Sequence, residues 1–376
     1  MKKMHIAYKF RIYPNPEQQI LITKTLGACR FIWNQMLSDK IAHYESTKEM
    51  LYNTPARYKE AFSFLNEVDS LALANRQLHL ERAFKSFFSK QTSFPNFQAR
   101  KKDYGYTTNI VNGNIKVLDG FIKLPKLGLV KLKKHRHIPE DYKLRSVTVS
   151  KSKTGKYYIS ILLDYETVIS PCEVKTTIGL DFDMTNFYVD SEGNRYAYPE
   201  SILLDQQKLR RLQSSLSRRY QPNKKQKDQS KNYFKQQHKV AILHERITNK
   251  RLDFLHKLSD SIAKTSDSVS IETLDLKQMA TSNKHYAKQI SRFGWYKFIT
   301  LLEYKLNRLG KTLVKIDKWY PSSKMCSRCG HLKTELKLSE RIYSCEHCRQ
   351  NMDRDYNAAV NIRNKGLELL KVENLA

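Results

Sequence analysis

The chain has 376 residues, enough for two or three domains with sizeable cores, and carries 67 Lys and Arg against 37 Asp and Glu. A net charge of +30 implies a polyanionic partner, for which nucleic acid is the first choice. The sequence shows neither an 18-residue apolar run nor a signal-peptide pattern, so we expect no membrane partner.

Strand and helix patterns alternate at the amino-terminal end. Apolar and basic residues alternate over Lys3–Tyr13, which predicts a strand with one positive face. Asn15, followed directly by Pro16, marks a helix start, and this helix is predicted to continue to about residue 46. The pattern predicts a second helical stretch over Pro55–Gln91, with an aromatic stripe that suits core packing.

From residue 104 to 165 the pattern changes to short alternating runs separated by turns that contain Gly and Asn. With the first strand, these runs predict a small antiparallel β-barrel over residues 1–170. The helical stretches then form an insert at about residues 15–103.

Two carboxylates end apolar strands in the second half of the chain. Asp181 lies in the predicted strand 177–182, and Glu272 lies in the run 268–274. A buried carboxylate costs several kcal/mol unless it is hydrogen-bonded or paired with a cation. Taken alone, Asp181 is also explained as a turn or edge residue, and Glu272 as a partner in a strand-end salt bridge.

Four cysteines near the carboxyl end form two Cys-x-x-Cys pairs. The first pair is Cys326 and Cys329, the second is Cys345 and Cys348, and 15 residues separate the pairs. This spacing is typical of a zinc ribbon, in which a structural Zn²⁺ clamps two turns that have almost no apolar core. Two disulfides or a chance pattern are the alternatives.

Two further carboxylates, Asp353 and Asp355, follow the last cysteine by five and seven residues, at the start of the amphipathic segment Ala358–Leu370. Either one alone is explained as a helix cap. Three carboxylates at two strand ends and one helix start cannot gather in ionised form without a metal. Asp181, Glu272 and an aspartate at this helix start therefore predict a site for two Mg²⁺ ions about 4 Å apart that hydrolyses phosphodiesters.

The most basic segment lies between the first two strand-end carboxylates. Residues 208–251 hold 14 Lys and Arg against Asp228 and Glu245, and their leucine stripes predict a helical hairpin at about residues 203–265. A solvated face is the plain alternative to contact with a nucleic-acid duplex. The candidate nucleic-acid-binding residues are Lys208, Arg210, Arg211, Arg218, Arg219, Arg246 and Arg354.

The motifs together resemble the TnpB (OrfB) family of bacterial insertion sequences. The resemblance rests on I-G-L-D at 178–181, S-I-E-T-L at 270–274, the four cysteines, and D-R-D-x-N-A-A-x-N-I at 353–362. Y-K-F-R-I-Y-P at 8–14 and G-A-C-R-F at 27–31 extend it to the amino-terminal end. Members are RNA-guided DNA endonucleases related to type V CRISPR effectors.

The resemblance implies an α+β multidomain fold. A wedge-like β-barrel with a helical recognition insert would occupy residues 1–170, and a RuvC-like nuclease domain of RNase H fold would occupy residues 171–376. The zinc ribbon would be inserted into the nuclease domain at about residues 322–350.

The resemblance also places the metal ligands on Asp181, Glu272 and Asp355, for Mg²⁺ or Mn²⁺, with Asp353 as the alternative third ligand. Its implied partners are a guide RNA from the element's own end and double-stranded target DNA beside a short flanking motif. We expect a monomer that associates with the nucleoid in the bacterial cytoplasm. Asp183 departs from the family pattern, in which Gly often stands at that position.

Two other functions remain open at this point. One is a nuclease-silent, RNA-guided DNA-binding repressor, which should have lost at least one of the three carboxylates. The other is a transposase, or an accessory protein of one, that joins strands. Tyrosine transposases use a His-x-His metal site with an apolar middle residue, whereas the candidate here, His135-Arg136-His137, has Arg in the middle.

Overall fold

The computed structural model describes residues 2–99, 105–282, 284–337 and 339–373. The chain divides into two compact units, unit 1 (residues 1–168) and unit 2 (residues 169–376), and each has its own apolar core. The predicted end of the helical insert at residue 103 lies outside the described residues. Within the described ranges, no helix is both long and apolar enough to cross a membrane.

Unit 1 is built on one antiparallel sheet. Its strands are β1 (Lys2–Tyr13), β2 (Gly105–Asn109), β3 (Lys116–Leu118), β4 (Phe121–Leu124), β5 (Gly128–Lys133), β6 (Lys143–Lys151) and β7 (Tyr157–Thr167). They pair in the order β2-β6-β7-β1-β5-β4-β3. In the described part of the chain the outer strands β2 and β3 do not pair with each other, and closure into a barrel stays a prediction.

Unit 1 also contains two long helices, which lie between β1 and β2 in the sequence. Helix α1 (Pro16–Thr47) begins with a capping box, in which the Asn15 side chain accepts the Gln18 backbone N–H at 2.8 Å. Helix α2 (Ser70–Phe88) begins where Asp69 caps the backbone N–H of Leu71 at 2.9 Å.

The predicted helix over Pro55–Gln91 is wrong in its first half. Residues Pro55–Tyr58 and Ser63–Asn66 form short 3₁₀ turns instead. The Tyr58 hydroxyl donates to the carboxylate of Asp39 on α1 at 2.6 Å, and this tertiary contact holds the turn in place. Local periodicity cannot reveal such a contact, which explains why the sequence pattern was misleading.

Unit 2 contains a five-stranded mixed sheet and a small two-stranded sheet. The large sheet consists of β8 (Thr177–Phe182), β9 (Tyr188–Asp190), β10 (Arg195–Tyr196), β11 (Ser268–Glu272) and β12 (Thr312–Ile316), paired in the order β10-β9-β8-β11-β12. Strands β8, β11 and β12 are parallel, whereas β9 and β10 run antiparallel to their neighbours. The small sheet pairs β13 (Ile342–Ser344) with β14 (Asn351–Asp353), beside the cysteines.

The helices of unit 2 fall into a hairpin and a group around the sheet. They are α3 (Glu200–Arg219), α4 (Lys231–Thr265), α5 (Leu276–Ser282), α6 (Lys284–Phe293), α7 (Trp295–Arg308) and α8 (Arg354–Glu373). Helices α3 and α4 lie in the segment that was predicted as a basic hairpin. The short helices α5 and α6 were not predicted from the sequence.

An aromatic core anchors the first strand of the large sheet. Trp295 and Phe298 on α7 are buried, and their rings lie 5.4 and 5.2 Å from the ring of Phe187. Phe182, at the end of β8, lies 4.8 Å from the Trp295 ring. Because β8 ends in this cluster, the carboxylate one residue earlier, on Asp181, is held on a rigid element.

Candidate active site

Two of the predicted carboxylates lie on adjacent parallel strands. The register of β8 and β11 pairs Leu180 with Ile271, so its continuation places Asp181 beside Glu272. Neighbouring strands lie about 4.8 Å apart, and residues at the same position along parallel strands face the same side. The two side chains therefore project together from the carboxyl ends of their strands.

Helix α8 covers the face of the sheet from which these side chains project. Gly179 and Asp181 share a face of β8, and a Cβ on Gly179 would collide with the backbone oxygen of Ala359. On the next strand, the Ser270 hydroxyl occupies the space that a Cβ on Gly366 would need. The two glycines thus allow the helix backbone to lie directly against β8 and β11.

The third carboxylate, Asp355, lies in the first turn of α8, one turn before Ala359. Residues four apart share a helix face, so the Asp355 side chain projects toward the sheet, as Ala359 does. It is buried, and its charge acts directly on Asp181. The structure therefore brings Asp181, Glu272 and Asp355 to one edge of the sheet.

Burial and mutual repulsion dominate the electrostatics of Asp181 at this edge, and Arg354 opposes them in part. Desolvation raises the pKa of Asp181 well above its ordinary value, and the neighbouring charges of Glu272 and Asp355 raise it further. Burial also raises the pKa of Glu272, opposed by a hydrogen bond from Ser322. Carboxylate oxygens are hard ligands of the kind that Mg²⁺ prefers. Among the described residues, however, the potential metal ligands whose atoms all lie within 4.8 Å of one another are the four cysteines and not these carboxylates.

Asp353, the alternative third ligand, has a different local role. Its Oδ1 accepts the backbone N–H of Tyr356 at 2.9 Å, which caps α8, and its Oδ2 accepts from Arg195 at 2.5 Å. This cap explains why α8 begins at Arg354 rather than at the predicted Ala358.

Arginines surround Asp355. Arg354 donates to its Oδ1 at 2.9 Å, and guanidinium nitrogens of Arg341 and Arg195 lie 3.7 and 3.9 Å from its Oδ2. Arg195 also lies 3.9 Å from the carboxylate of Asp183. Sequence reasoning missed Arg195, because nothing local marks a residue on a two-residue strand as a partner of carboxylates some 160 positions away.

Asp183 stands where the family pattern often has Gly, and its side chain closes the turn that follows β8. Its side chain accepts the Thr185 backbone N–H and the Asn186 side-chain amide, each at 2.7 Å. These bonds explain how a carboxylate is accommodated at a position where the family often has Gly.

A chain of hydrogen bonds joins the candidate site to the cysteines. The Ser322 hydroxyl donates to Oε1 of Glu272, and the Ser322 backbone oxygen accepts from Asn361 of α8 at 2.7 Å. Asn357 and Asn361 each donate to the backbone oxygen of Met325 at 2.7 Å, directly before Cys326. Helix α8 thus positions both the first cysteine turn and the residue that contacts Glu272. Sequence reasoning missed Ser322, because nothing in the residues around it indicates a contact with Glu272. Asn357 and Asn361 are easier to identify, because they are polar residues four positions apart on an otherwise apolar helix.

The four cysteine sulfurs form one cluster, with all four ligand atoms within 4.8 Å of one another. Cys326 and Cys348 sulfurs lie 3.6 Å apart, and so do those of Cys329 and Cys345. These distances exceed the 2.05 Å of a disulfide and match the roughly 3.8 Å between ligands of a tetrahedral Zn²⁺ site. The cluster could therefore hold a structural zinc ion.

The candidate nucleic-acid-binding residues are divided between the hairpin and α8. Lys208, Arg210, Arg211, Arg218 and Arg219 are exposed on α3, and Arg246 is exposed on α4. Arg246 is paired with the buried Asp205 at 3.0 Å, and Arg354 is paired with Asp355. The structure thus leaves the cluster on α3 open to a partner, whereas these two arginines already bind carboxylates.

Three sequence models of known families match parts of the chain. "Probable transposase" matches residues 160–283, "Cas12f1-like, TNB domain" matches residues 295–362, and "Helix-turn-helix domain" matches residues 1–49. The second match spans the cysteine cluster and the start of α8, and the first spans Asp181 and Glu272.

Similar proteins cover nearly the whole chain. A protein of Streptomyces pristinaespiralis, named as a candidate RNA-guided DNA endonuclease, is 32% identical over 98% of this chain and 90% of its own length. InsQ of Escherichia coli K12, named in the same way, is 30% identical over 98% of this chain and 94% of its own. Among solved structures, Cas12f1 in a complex with guide RNA and target DNA is similar in fold, with a TM-score of 0.63 and 15% identity over 96% of this chain and 99% of its own. These similarities establish that the chain belongs to the TnpB family and has a Cas12f-like α+β fold.

Proposed function

We propose that the protein is an RNA-guided, divalent-metal-dependent DNA endonuclease of a transposable element. The observation that carries this proposal is the convergence of Asp181, Glu272 and Asp355 at one edge of the unit 2 sheet. The names of the relatives support guided endonuclease activity, and the transposase model supports an origin in a mobile element.

Strand order supports a RuvC-like domain of RNase H fold in unit 2. Three consecutive antiparallel strands, β8 to β10, form one side of the sheet, and β11 and β12 continue it parallel to β8. Unit 1 would then supply the wedge-like barrel and the helical recognition insert, which bind guide RNA and the short flanking motif of the target.

Mg²⁺ is the expected ion, with Mn²⁺ as a substitute, because carboxylates are hard oxygen ligands. Bound there, such ions would lower the pKa of an attacking water and stabilise the departing 3′ oxygen during phosphodiester hydrolysis. Asp181 and Glu272 would hold the ions from rigid strands, and Asp355 would hold them from the start of α8. Ser322 orients Glu272, and Arg354 balances the charge of Asp355.

A single zinc ion per chain, held by Cys326, Cys329, Cys345 and Cys348, would be structural. The β13–β14 hairpin beside the cluster has a buried core of only Cys326, Tyr343 and Cys345 among the described residues, so metal ligation would supply most of its stability. Elemental analysis of the purified protein measures this directly, with one zinc per chain as the expected result.

Sequence choice would come from base pairing by a guide RNA transcribed from the element's own end, and the protein would read only a short motif on the DNA. The exposed basic residues of α3 suit contact with the phosphates of a guide–target duplex, because such contact needs charge and no base reading. We expect the guided complex to contain one protein chain.

The presence of all three carboxylates favours cutting over silent repression, since a silent repressor should have lost at least one of them. Strand joining by a tyrosine transposase is disfavoured by His135-Arg136-His137, whose central Arg does not suit that metal site.

Reprogramming of the guide tests this function. The protein is co-expressed with the DNA that flanks its gene, and the RNA that co-purifies is sequenced. Replacing the guide segment should redirect plasmid cutting to the new matching site in Mg²⁺, and Asp181→Ala should retain the RNA without cutting. If cutting ignores the guide, or if no RNA co-purifies, the proposal is wrong.

A further inference from the structure

One tryptophan of unit 2, Trp319, is far more exposed to solvent than the other two tryptophans of the chain. The chain has three tryptophans, of which Trp33 and Trp295 are 8% and 1% exposed, whereas Trp319 is 79% exposed. Trp is highly buried on average, so an indole ring left in solvent is a candidate contact surface for a ligand. The Lys318 ammonium lies 4.5 Å from the Trp319 ring centroid, which marks the surroundings as basic.

Trp319 lies on the turn at the carboxyl end of β12, beside the candidate active site. The turn begins directly after Ile316, which is paired in register with Glu272, and it ends at Ser322, which donates to the Glu272 carboxylate. Three residues span at most about 11 Å, so the Trp319 Cα lies within that distance of the Ser322 Cα. Ligands of such sheets bind outside the carboxyl ends of the parallel strands, where this turn lies.

The turn that carries Trp319 is hydrogen-bonded within itself. Asp317 accepts the Trp319 backbone N–H through its side chain at 2.7 Å and the Tyr320 backbone N–H through its carbonyl at 3.2 Å. The Ser322 backbone N–H then donates to the Tyr320 oxygen at 2.8 Å. These bonds define the backbone of the turn that carries the exposed ring.

We propose that Trp319 is a stacking platform for a base of the single DNA strand that enters the carboxylate site. This inference rests on the proposed function and adds a substrate contact to it. A guided nuclease must cut strands of any sequence, and stacking on a base face is tolerant of sequence where edge hydrogen bonds are not. Lys318 lies where it can neutralise an adjacent phosphate.

Charge favours a nucleic-acid strand over a protein partner at this position. A protein that docked on an exposed indole would be expected to meet further apolar surface, but the neighbouring exposed residues are Asp317, Lys318 and Lys324, which are charged and positive on balance. Proximity to Glu272 favours the DNA strand over the guide RNA, because the strand to be hydrolysed must approach the carboxylates.

An abasic scan of the target strand tests the proposal in the RNA-loaded full-length protein. Trp319→Ala should lower the cutting rate about 5- to 30-fold, and Trp319→Phe should retain most of the rate because it still stacks. One or two abasic nucleotides near the cut should slow the wild type by a similar factor without slowing Trp319→Ala further. Tyr304→Ala is the matched control, because Tyr304 is an exposed aromatic on α7, which leads into the amino end of β12, whereas Trp319 follows the carboxyl end of that strand.

A binding measurement separates failure of this inference from failure of the proposed function. Trp319 is the exposed tryptophan, so a single-stranded DNA oligonucleotide should quench the fluorescence of RNA-loaded Asp181→Asn protein, and Trp319→Phe should abolish that quenching. Absence of quenching, normal cutting by Trp319→Ala, or slow cutting with no coupled abasic position would each overturn the proposal. Loss of all guided cutting in the wild type would instead contradict the proposed function, and the quenching result would still decide the role of Trp319.

Discussion

At the scale of single residues, Ser322 contributes to the site although it is not a candidate ligand. Its hydroxyl donates to Glu272, and Asn361 holds its backbone from α8. Groups that orient metal ligands typically change metal affinity 10- to 100-fold when they are removed.

Ser322→Ala is therefore expected to raise the Mg²⁺ concentration for half-maximal plasmid cutting about 10-fold, while cutting at saturating Mg²⁺ changes less. Titration of Mg²⁺ against the cutting rate measures the effect. Ser327→Ala is the matched control, because the Ser327 hydroxyl contacts the Met352 sulfur at 3.4 Å rather than a carboxylate. An unchanged Mg²⁺ requirement in Ser322→Ala would show that Ser322 does not orient Glu272.

Asp181 links metal binding to stability. Its pKa in the folded protein is raised by desolvation and by Glu272 and Asp355, so without metal the folded state binds this proton more tightly than the unfolded state. The metal-free protein should therefore lose stability as pH rises from the ordinary aspartate pKa through the raised value. Mg²⁺ should restore that stability.

Asp181→Asn removes this penalty and should stabilise the Mg²⁺-free protein by about 1–2 kcal/mol at pH 8, with little effect near pH 4. Thermal unfolding of wild type and variant across this pH range, with and without Mg²⁺, checks both the size and the sign. A variant that is no more stable than the wild type at pH 8 without Mg²⁺ would contradict the described crowding of carboxylates.

At the scale of elements, the site depends on how closely α8 approaches the sheet. Gly179 and Gly366 lie where a Cβ would collide with Ala359 and Ser270. Overpacking of a tight contact costs about 1–3 kcal/mol and shifts the backbone. A shift of α8 would also displace Asp355, which the helix carries in its first turn.

Gly179→Ala and Gly366→Ala are thus expected to lower the free energy of unfolding by about 1–3 kcal/mol and to reduce cutting together with stability. Urea unfolding and plasmid cutting measure the two effects. Gly27→Ala is the control, because Gly27 lies within α1 and a Cβ there meets nothing within 4 Å, so stability should hold or rise. Equal effects at all three glycines would argue against close helix–sheet packing.

Much of this architecture follows from local sequence. The capping residues Asn15 and Asp353, the apolar strands that end in Asp181 and Glu272, and the Cys-x-x-Cys spacing each carry a local physical signal. The contacts of Arg195 and Ser322 have no such signal, since they join residues that only the fold brings together. The same reason explains the wrong helix over Pro55–Asn66, where Tyr58 binds a distant carboxylate.

At the scale of the whole molecule, the net charge of +30 should make nucleic-acid binding strongly dependent on salt. The exposed cluster on α3 contributes to this charge. Among the described residues, Arg218 and Arg219 have no carboxylate partner, whereas Arg246 is paired with Asp205. Each phosphate contact that is lost should reduce the slope of log affinity against log salt by about 1.

Replacing both Arg218 and Arg219 by Ala should therefore reduce that slope by up to about 2 and weaken binding of guide–target duplexes of any sequence equally. Binding at several salt concentrations measures the slope. Lys315→Ala is the control, because Lys315 is already paired with Glu303 at 2.7 Å. An unchanged slope in the double variant would place the duplex elsewhere.

The most direct test of the three-carboxylate site compares two neighbouring aspartates in the RNA-loaded protein. We expect Asp355→Ala to abolish Mg²⁺-dependent cutting of a matched plasmid while RNA remains bound, because Asp355 is buried and its charge raises the pKa of Asp181. Asp353→Ala should retain cutting, because it removes only a helix cap and the ion pair with Arg195. Normal cutting by Asp355→Ala together with loss of cutting by Asp353→Ala would contradict the assignment.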